Sequence, residues 1–174
     1  HREALGRLGL GGWPLVRCRQ VHGARVVRVN QASASPVADS DGLATDQPGV
    51  LLGIHVADCC AVYIADPARR AVALVHSGRK GTEAGIVGHA IELLGREFGS
   101  SPCALVVQLS PCIRPPHYEV DIASAIVEQC RAAGVAEVHD CGLCTGADRE
   151  RFYSYRVERG RTGRMLAVLG VAAR

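Results

Sequence analysis

The chain has 174 residues, of which 48% are hydrophobic and 21% charged, so it can bury a real core and is not disordered. A net charge of +3, from 20 basic and 17 acidic residues, is too small to indicate binding to nucleic acid or to an acidic membrane surface. No run of about 18 apolar residues marks a transmembrane helix, and no basic-then-apolar leader is present. We therefore expect a soluble, cytoplasmic protein of one domain, with neither nucleic acid nor a membrane as a partner.

The first half of the chain predicts mainly strands. Apolar and β-branched residues are concentrated in five short runs, at 15–21, 24–29, 50–56, 61–65 and 71–75. His22 and Gly23 separate the first two runs, and Asp66 and Pro67 separate the last two. The segment 30–41 is rich in Ser, Ala, Pro and Asp, and it is predicted as a surface loop.

The second half adds two helices. Apolar residues recur at helical spacing over 82–98, with Thr82 as the predicted N-cap. A second amphipathic helix is predicted over 121–133 and ends at Gly134, while two more strands are predicted at 105–109 and 165–171. Because the helices do not alternate regularly with the strands, the pattern favours the α+β class over a doubly wound α/β fold.

The cysteines indicate reduced thiols rather than a disulfide framework. Eight cysteines are too few for a disulfide scaffold in a chain of this length. Cys103 and Cys130 lie beside or within apolar runs, where a buried thiol is the expected state. Seven histidines leave room for a metal, but the absence of His-x-His pairs does not favour the clustered copper of a multicopper oxidase.

Three candidate metal ligands lie at predicted strand ends. His22 follows the first strand, Cys59 lies between the strands at 50–56 and 61–65, and His76 ends the strand at 71–75. Strand ends can bring distant side chains together, and three protein ligands with an open fourth position is the pattern of catalytic zinc. Asp58 is a candidate partner of a ligand or a candidate base. Each residue alone is also compatible with a purely structural role.

A Gly-rich turn follows His76. Gly78–Thr82 joins a predicted strand to a predicted helix, and its free N–H groups would suit an anion. Arg79 and Lys80, the single lysine of the chain, add positive charge there. The spacing is not that of a Walker loop, and an exposed basic turn is the structural alternative.

A second zinc set is also conceivable. His117 and Glu119 form an H-x-E pair, and Cys141 and Cys144 form a C-x-x-C pair, which together imitate a base-deaminase pattern. Asp140 stands where that pattern has proline, which makes this set the weaker of the two.

An aromatic cluster lies late in the chain. In the run Phe-Tyr-Ser-Tyr-Arg at 152–156, Tyr155 and Arg156 can stack on a base or bind a phosphate. The alternative is a set of rings that closes the core, with Arg156 in a salt bridge.

Taken together, these segments resemble the YfiH-like family, also called the laccase-domain or polyphenol-oxidase family. The matching stretches run in family order over nearly the whole chain: RQVHGARV at 19–26, DGLATDQPGVLLGIHVADC at 41–59, VALVHSGRKGTEAGIV at 72–87, PCIRPPHYEV at 111–120, Cys144-Thr145, FYSYR at 152–156 and TGRM at 162–165.

The resemblance implies a fold, a cofactor and an activity. The fold would be α+β with a mixed β-sandwich core and flanking helices, similar to a cysteine-hydrolase toxin domain, the cytotoxic-necrotizing-factor catalytic fold. Zinc would be held by His22, Cys59 and His76. The activity would be phosphorolysis of adenosine, inosine, guanosine or methylthioadenosine, with adenosine deamination as a side activity. We accordingly expect a purine nucleoside and phosphate as partners.

Site roles follow from the residues and the resemblance together. The catalytic candidates are Asp58, Cys59 and His76. The candidates for contact with substrate or phosphate are Gln20, Arg79, Lys80, Tyr155 and Arg156.

The chain departs from the family pattern at several points. The family reads HAGWRG where this chain has HSGRKG, so Arg79 stands in the tryptophan position and Lys80 in the arginine position. Cys60 follows the ADC motif where an apolar residue and proline are usual, and Ser110 replaces an expected glycine. The resemblance also implies a front segment of about 60 residues that this sequence, a single domain over 1–174, lacks.

Three function hypotheses remain at this point. The first is a zinc-dependent purine nucleoside phosphorylase. The second is a hydrolase with Cys59 as nucleophile and His76 as base. The third is a degenerate, non-catalytic member that binds metal.

Overall fold

Nine strands and four α-helices are present in a computed structural model that describes residues 2–31, 33 and 35–172. The helices are α1 (Arg2–Arg7), α2 (Arg79–Glu83), α3 (Ile86–Phe98) and α4 (Ile122–Ala132). The strands are β1 (Leu15–Arg17), β2 (Val26–Arg28), β3 (Gly42–Thr45), β4 (Leu51–Val56), β5 (Cys60–Asp66), β6 (Ala71–Ser77), β7 (Val106–Leu109), β8 (Glu137–Asp140) and β9 (Met165–Gly170).

The strands form two sheets. The larger has six strands in the order β2-β3-β6-β5-β7-β8, and the smaller has three in the order β1-β4-β9. The central strands β5 and β6 are antiparallel and joined by a short turn, whereas β2 pairs with β3, and β7 with β8, in parallel. A mixed sheet of this kind, with helices that do not cross over between every pair of strands, is an α+β arrangement.

Alternation along the central strands divides the apolar residues between two cores. On β6, Ala73 and Val75 pack in the core formed with α3 and α4, while Val72 and Leu74 pack in the core between the two sheets. Successive side chains of a strand point to opposite faces, so a strand covered on both sides must be apolar at every position. All seven residues of β6 are buried.

The predicted fold class, an α+β protein with a β-sandwich core and flanking helices, is confirmed. The helix predicted over 121–133 is present as α4, with the Asp121 carboxylate accepting a hydrogen bond from the Ser124 N–H at 3.0 Å. The helix predicted over 82–98 is divided into α2 and α3 at Gly85, which has φ +73°. The short elements α1, β3 and β8 were not predicted from the sequence.

Thr82 is not an N-cap, contrary to prediction. It is the fourth residue of α2, whose N-cap is Gly78, and its backbone N–H donates to the Gly78 carbonyl at 2.8 Å. Its hydroxyl also donates to that carbonyl.

Within the described part of the chain, none of the helices combines the length and the apolar character needed to cross a membrane.

Candidate functional site

Three side chains that can ligate a metal converge at one edge of the larger sheet. The ligand atoms of His22, Cys59 and His76 all lie within 4.8 Å of one another, and the two imidazole rings meet edge to face with centroids 4.8 Å apart. His76 is buried, Cys59 is half-buried and His22 is exposed. The group therefore has an inner, protected side and an outer side open to solvent.

Strand register explains why Cys59 and His76 meet. In the antiparallel β5–β6 pair, Cys60 lies opposite Ser77 and Ala61 opposite His76, so Cys59 and Gly78 are neighbours just past the paired ends. A Cβ atom on Gly78 would lie 2.6 Å from the Cys59 Sγ and 3.6 Å from the His22 Cδ2. Glycine at this position therefore leaves the space in which the thiol and the ring come together.

Asp41 contacts the His76 ring and the backbone around His22. Its carboxylate is fully buried, lies 2.8 Å from His76 Nδ1, and accepts backbone N–H bonds from Val21, His22 and Gly23 at 2.8–3.1 Å. The contact at Nδ1 leaves His76 Nε2 as the ligating nitrogen, as in carboxylate–histidine–metal arrangements. The N–H bonds hold the turn in which His22 adopts φ +59°. Asp41 begins the motif at 41–59, but the sequence pattern did not predict a role for it.

The electrostatics of the group favour a thiolate. Burial opposes ionisation of Cys59, but hydrogen bonds with His22 and His76 outweigh it and lower the pKa of the thiol to about 7. Burial likewise disfavours the charged form of His76, yet the hydrogen bonds with Asp41 and Cys59 raise its pKa to about 9. Against its burial, the hydrogen bond with His76 and the backbone N–H bonds lower the pKa of Asp41. Thiolate and imidazole are the donors that zinc prefers, so the residues fit a metal.

Asp58 lies beside the metal-binding group but is engaged by the protein. Its Oδ1 accepts from the Thr145 hydroxyl at 2.8 Å, and its Oδ2 accepts from the Arg156 backbone N–H at 2.7 Å. The residue is 7% exposed and has φ +86°, a conformation that few non-glycine residues adopt. These contacts connect the segment before Cys59 to the loop that carries Arg156, which is a positioning role.

A cleft of about 960 Å³ opens over the three ligands. All of the residues predicted to contact substrate or phosphate line it, namely Gln20, Arg79, Lys80, Tyr155 and Arg156. Among the described residues, Arg159 and Arg164 bring the number of arginines and lysines in its wall to five, against one carboxylate, that of Asp58. A concave site with this charge suits an anionic ligand.

The Gln20 amide is occupied within the protein. Its Nε2 donates to the His55 carbonyl and its Oε1 accepts from the His55 N–H, both at 2.8 Å. The Gln20 side-chain amide therefore pairs with the His55 backbone of β4 as the backbone of a neighbouring strand would. This pairing joins the segment before His22 to β4. His55 also lines the cleft, where burial and the charges of Arg17 and Arg164 lower its pKa.

The basic turn contributes the side chains of Arg79 and Lys80 to the cleft, and the Thr82 N–H, part of the predicted cradle, is already bonded. The N–H of Thr82 is bonded within α2, and Gly81 is packed so closely that a Cβ would lie 3.0 Å from the Gly23 carbonyl oxygen. Lys80 is exposed, and among the described residues no carboxylate lies within 4.0 Å of its ammonium group.

An ion-pair cluster lies at the rim of the cleft. Arg79 Nη1 is 3.7 Å and Arg156 Nη2 is 3.4 Å from the Glu119 carboxylate, and the Arg156 guanidinium stacks over Tyr118 with 4.6 Å between its central carbon and the ring centroid. The sequence-based alternative for Arg156, a salt bridge, is therefore present, but at the cleft and not at the end of the core.

The second zinc set does not form a comparable group. In the part of the chain that the structure describes, His22, Cys59 and His76 are the only three such residues brought this close, and His117 and Cys141 are exposed.

The chain matches a family model described as "Multi-copper polyphenol oxidoreductase laccase" over residues 1–125 and 117–172. It belongs to this family. The resemblance stated from the sequence is thereby confirmed, because the laccase-domain stretches and the family match cover the same chain.

Relatives in this family carry a different functional name. The protein called "Purine nucleoside phosphorylase YlmD" from Geobacillus stearothermophilus is 32% identical, over 91% of this chain and 73% of the relative. A protein called "Purine nucleoside phosphorylase" from Deinococcus radiodurans is 34% identical, over 96% of this chain and 74% of the relative.

Solved structures of similar proteins have the same fold as this laccase-family chain. The crystal structure of YlmD from G. stearothermophilus superposes with a TM-score of 0.92 at 31% identity, over 99% of this chain and 78% of that one. The hypothetical protein YfiH from Bacillus licheniformis superposes with a TM-score of 0.86 at 25% identity, over 98% and 79%.

Proposed function

We propose that this protein is a zinc-dependent purine nucleoside phosphorylase acting on adenosine, inosine, guanosine or methylthioadenosine. The observation that carries the proposal is one cleft in which a His-Cys-His group lies beneath five basic side chains. The functional name of the two relatives supports it.

Zinc is proposed because of the donor set. His22, Cys59 and His76 would hold the ion, and all three line the cleft. Three protein ligands of this kind are typical of catalytic zinc, which keeps one position for water or substrate. A multicopper oxidase would need several neighbouring groups of metal ligands. The described residues form one such group, that of His22, Cys59 and His76.

The reaction exchanges one bond at the anomeric carbon. The C1′–N9 bond breaks, its electron pair leaves with the purine, and a C1′–O bond to phosphate forms. The proton of hydrogen phosphate ends on the released base, which balances the products as ribose 1-phosphate and free purine. When bound, zinc would supply a Lewis acid for the negative charge that develops in the transition state.

The residues of this chain bind and orient the reactants. Lys80, Arg79 and Arg156 line the cleft wall, and this position supports our assignment of phosphate binding to them. Tyr155 is 54% exposed at the same wall, with the Arg164 guanidinium over its ring at 5.3 Å from the centroid, and it is our candidate for stacking on the purine. Asp58 holds the Arg156 backbone at the segment that carries Cys59. Its carboxylate would act as a base only after releasing one of its two partners.

The deciding assay is release of ribose 1-phosphate from adenosine and inosine, with and without phosphate, and with chelator followed by zinc. We expect product that requires phosphate, is lost with the chelator and returns with zinc. Base release that is independent of phosphate would contradict phosphorolysis. If the protein binds zinc but forms no product, the non-catalytic metal-binding hypothesis is the one that remains.

A cysteine hydrolase is the second candidate because of one geometric feature. The Cys59 thiol lies within 4.8 Å of a His76 ring nitrogen, and the buried Asp41 carboxylate lies 2.8 Å from His76 Nδ1, which are the contacts of a Cys-His-Asp arrangement. His22 is the feature that this candidate leaves unexplained, since a nucleophile and its base need no second histidine.

Alkylation of Cys59 by iodoacetamide separates the two candidates. A thiolate bound to metal is a poor nucleophile, so we expect slow labelling that accelerates when the metal is chelated. In the metal-free protein the rate should fall as the pH is lowered through about 7, because the Cys59 pKa of about 7 means that the thiolate is lost below it. Fast labelling that the chelator leaves unchanged, read by mass spectrometry, would instead favour the hydrolase.

A further inference from the structure

Three separate segments of the cleft rim meet at one carboxylate. Arg79 lies on α2, Glu119 on the segment before α4, and Arg156 on the loop before β9. Arg79 Nη1 lies 3.7 Å from Glu119 Oε1, and Arg156 Nη2 lies 3.5 and 3.4 Å from Oε1 and Oε2. A single acidic side chain thus lies between two guanidinium groups that face the cleft.

These contacts are weak by the standard of charge-assisted hydrogen bonds. Such bonds are commonly about 2.7–2.9 Å long, and exposed ion pairs contribute little to stability. The side chains of Arg79, Glu119 and Arg156 are 49%, 57% and 53% exposed. Glu119 is therefore in a position to exchange with a better anion.

Both arginines are held by contacts that do not involve Glu119. The Arg79 Nε donates to Glu83 at 2.9 Å, while the Arg156 guanidinium lies over Tyr118 and its backbone N–H donates to Asp58. Departure of the Glu119 carboxylate would leave the two guanidinium groups near their present positions.

The pair lies next to the metal-binding group. Arg79 follows His76 by three residues, and the Arg156 backbone is bonded to the residue that precedes Cys59. Arg79 and Arg156 line the same cleft as the three ligands, so an anion between their guanidinium groups would lie at the cleft in which the proposed reaction takes place.

We propose that Glu119 occupies the phosphate position between Arg79 and Arg156 in the phosphate-free protein, and that substrate phosphate displaces it. The proposal rests on the proposed function, since it takes phosphate as the co-substrate. Two planar guanidinium groups match a phosphate better than a carboxylate, because the dianion offers more acceptors and a second charge. A carboxylate left in place would repel that dianion, so Glu119 must move away as phosphate binds.

The test is equilibrium binding of inorganic phosphate, followed by 31P NMR titration in the absence of nucleoside. Glu119→Gln should bind phosphate roughly three- to ten-fold more tightly than wild type, as expected for removal of a weak competing ion pair. The control Glu3→Gln removes the same charge from an exposed pair with Arg7 outside the cleft, and it should bind phosphate as wild type does. Adding Arg79→Gln to Glu119→Gln should cancel the gain.

Weaker or unchanged phosphate binding by Glu119→Gln would overturn the proposal, since Glu119 would then support the arginines or lie away from the anion. Retention of the gain after Arg79→Gln would overturn it as well. Thermal unfolding of each variant checks that its fold is intact. Because no nucleoside is present, absence of turnover in the wild type would contradict the proposed function without affecting this result.

Discussion

The floor and the rim of the cleft are built in opposite ways. On the floor, Asp41 and His76 are 0% and 3% exposed, and their hydrogen bonds are 2.7–3.1 Å long. At the rim, Arg79, Glu119 and Arg156 are about half exposed and their mutual contacts are 3.4–3.7 Å long. Packing therefore fixes His76, the buried one of the three ligands, whereas solvent and ligands compete for the rim. Changes on the floor should remove function, and changes at the rim should tune it.

The largest effect is expected from loss of the floor thiolate. Cys59→Ala removes one of three ligands, so the bound zinc should be largely lost, because no other thiol of the described residues belongs to the group. Metal analysis of the purified protein measures this. Cys144→Ala is the matched control, since that cysteine lies outside the group, and it should retain zinc. The opposite pair of results would move the metal to the set of His117, Cys141 and Cys144.

A smaller but still large effect is expected at Asp41. Asp41→Asn keeps the shape but places an amide NH₂ where the carboxylate accepts hydrogen bonds from N–H groups. Loss of such a partner of a metal-bound histidine typically lowers metal affinity about 10- to 100-fold. Competition with a zinc chelator measures the change.

Asp39→Asn is the control for Asp41. Asp39 lies two residues before Asp41 and forms an exposed ion pair with Arg19. Its substitution removes a charge near Asp41, and zinc affinity should not change. Equal affinity in both variants would show that the contact between Asp41 and His76 does not orient the ligand.

The smallest effect on metal binding is expected at Lys80 on the rim, because Lys80 is not one of the three ligands. Lys80→Ala removes a charge that has no partner within 4.0 Å among the described residues and that lines the cleft. A charge-assisted contact contributes roughly 1.5–3 kcal/mol, so the KM for phosphate should rise about ten-fold or more, with zinc content unchanged.

Arg131→Ala on α4 is the matched control, because it removes an exposed positive charge away from the cleft wall. An unchanged KM for phosphate in Lys80→Ala would assign the anion to the other basic residues of the wall.

The sequence by itself determined the fold class and the three candidate ligands. Hydrophobic periodicity locates strand ends: Cys59 directly precedes β5 and His76 is the penultimate residue of β6. His22 was predicted at the end of a strand over 15–21, but β1 ends at Arg17 and His22 lies in the connection to β2. The six-residue β4 and seven-residue β5 and β6 were predicted nearly in full because continuous apolar runs mark strands buried on both faces. The short β3 and β8 escaped prediction because four residues carry too little pattern.

Only the tertiary structure decided which groups act on those ligands. Asp41 and Glu119 are ordinary acidic residues in sequence, and their roles come from partners 35 and 37 positions away, His76 and Arg156. The same holds for Thr82, which the local pattern marks as a cap but which the contact with Gly78 places inside a helix. Periodicity reports which side of an element is buried, whereas a hydrogen bond depends on where two distant elements meet, and that position is set by packing of the whole domain.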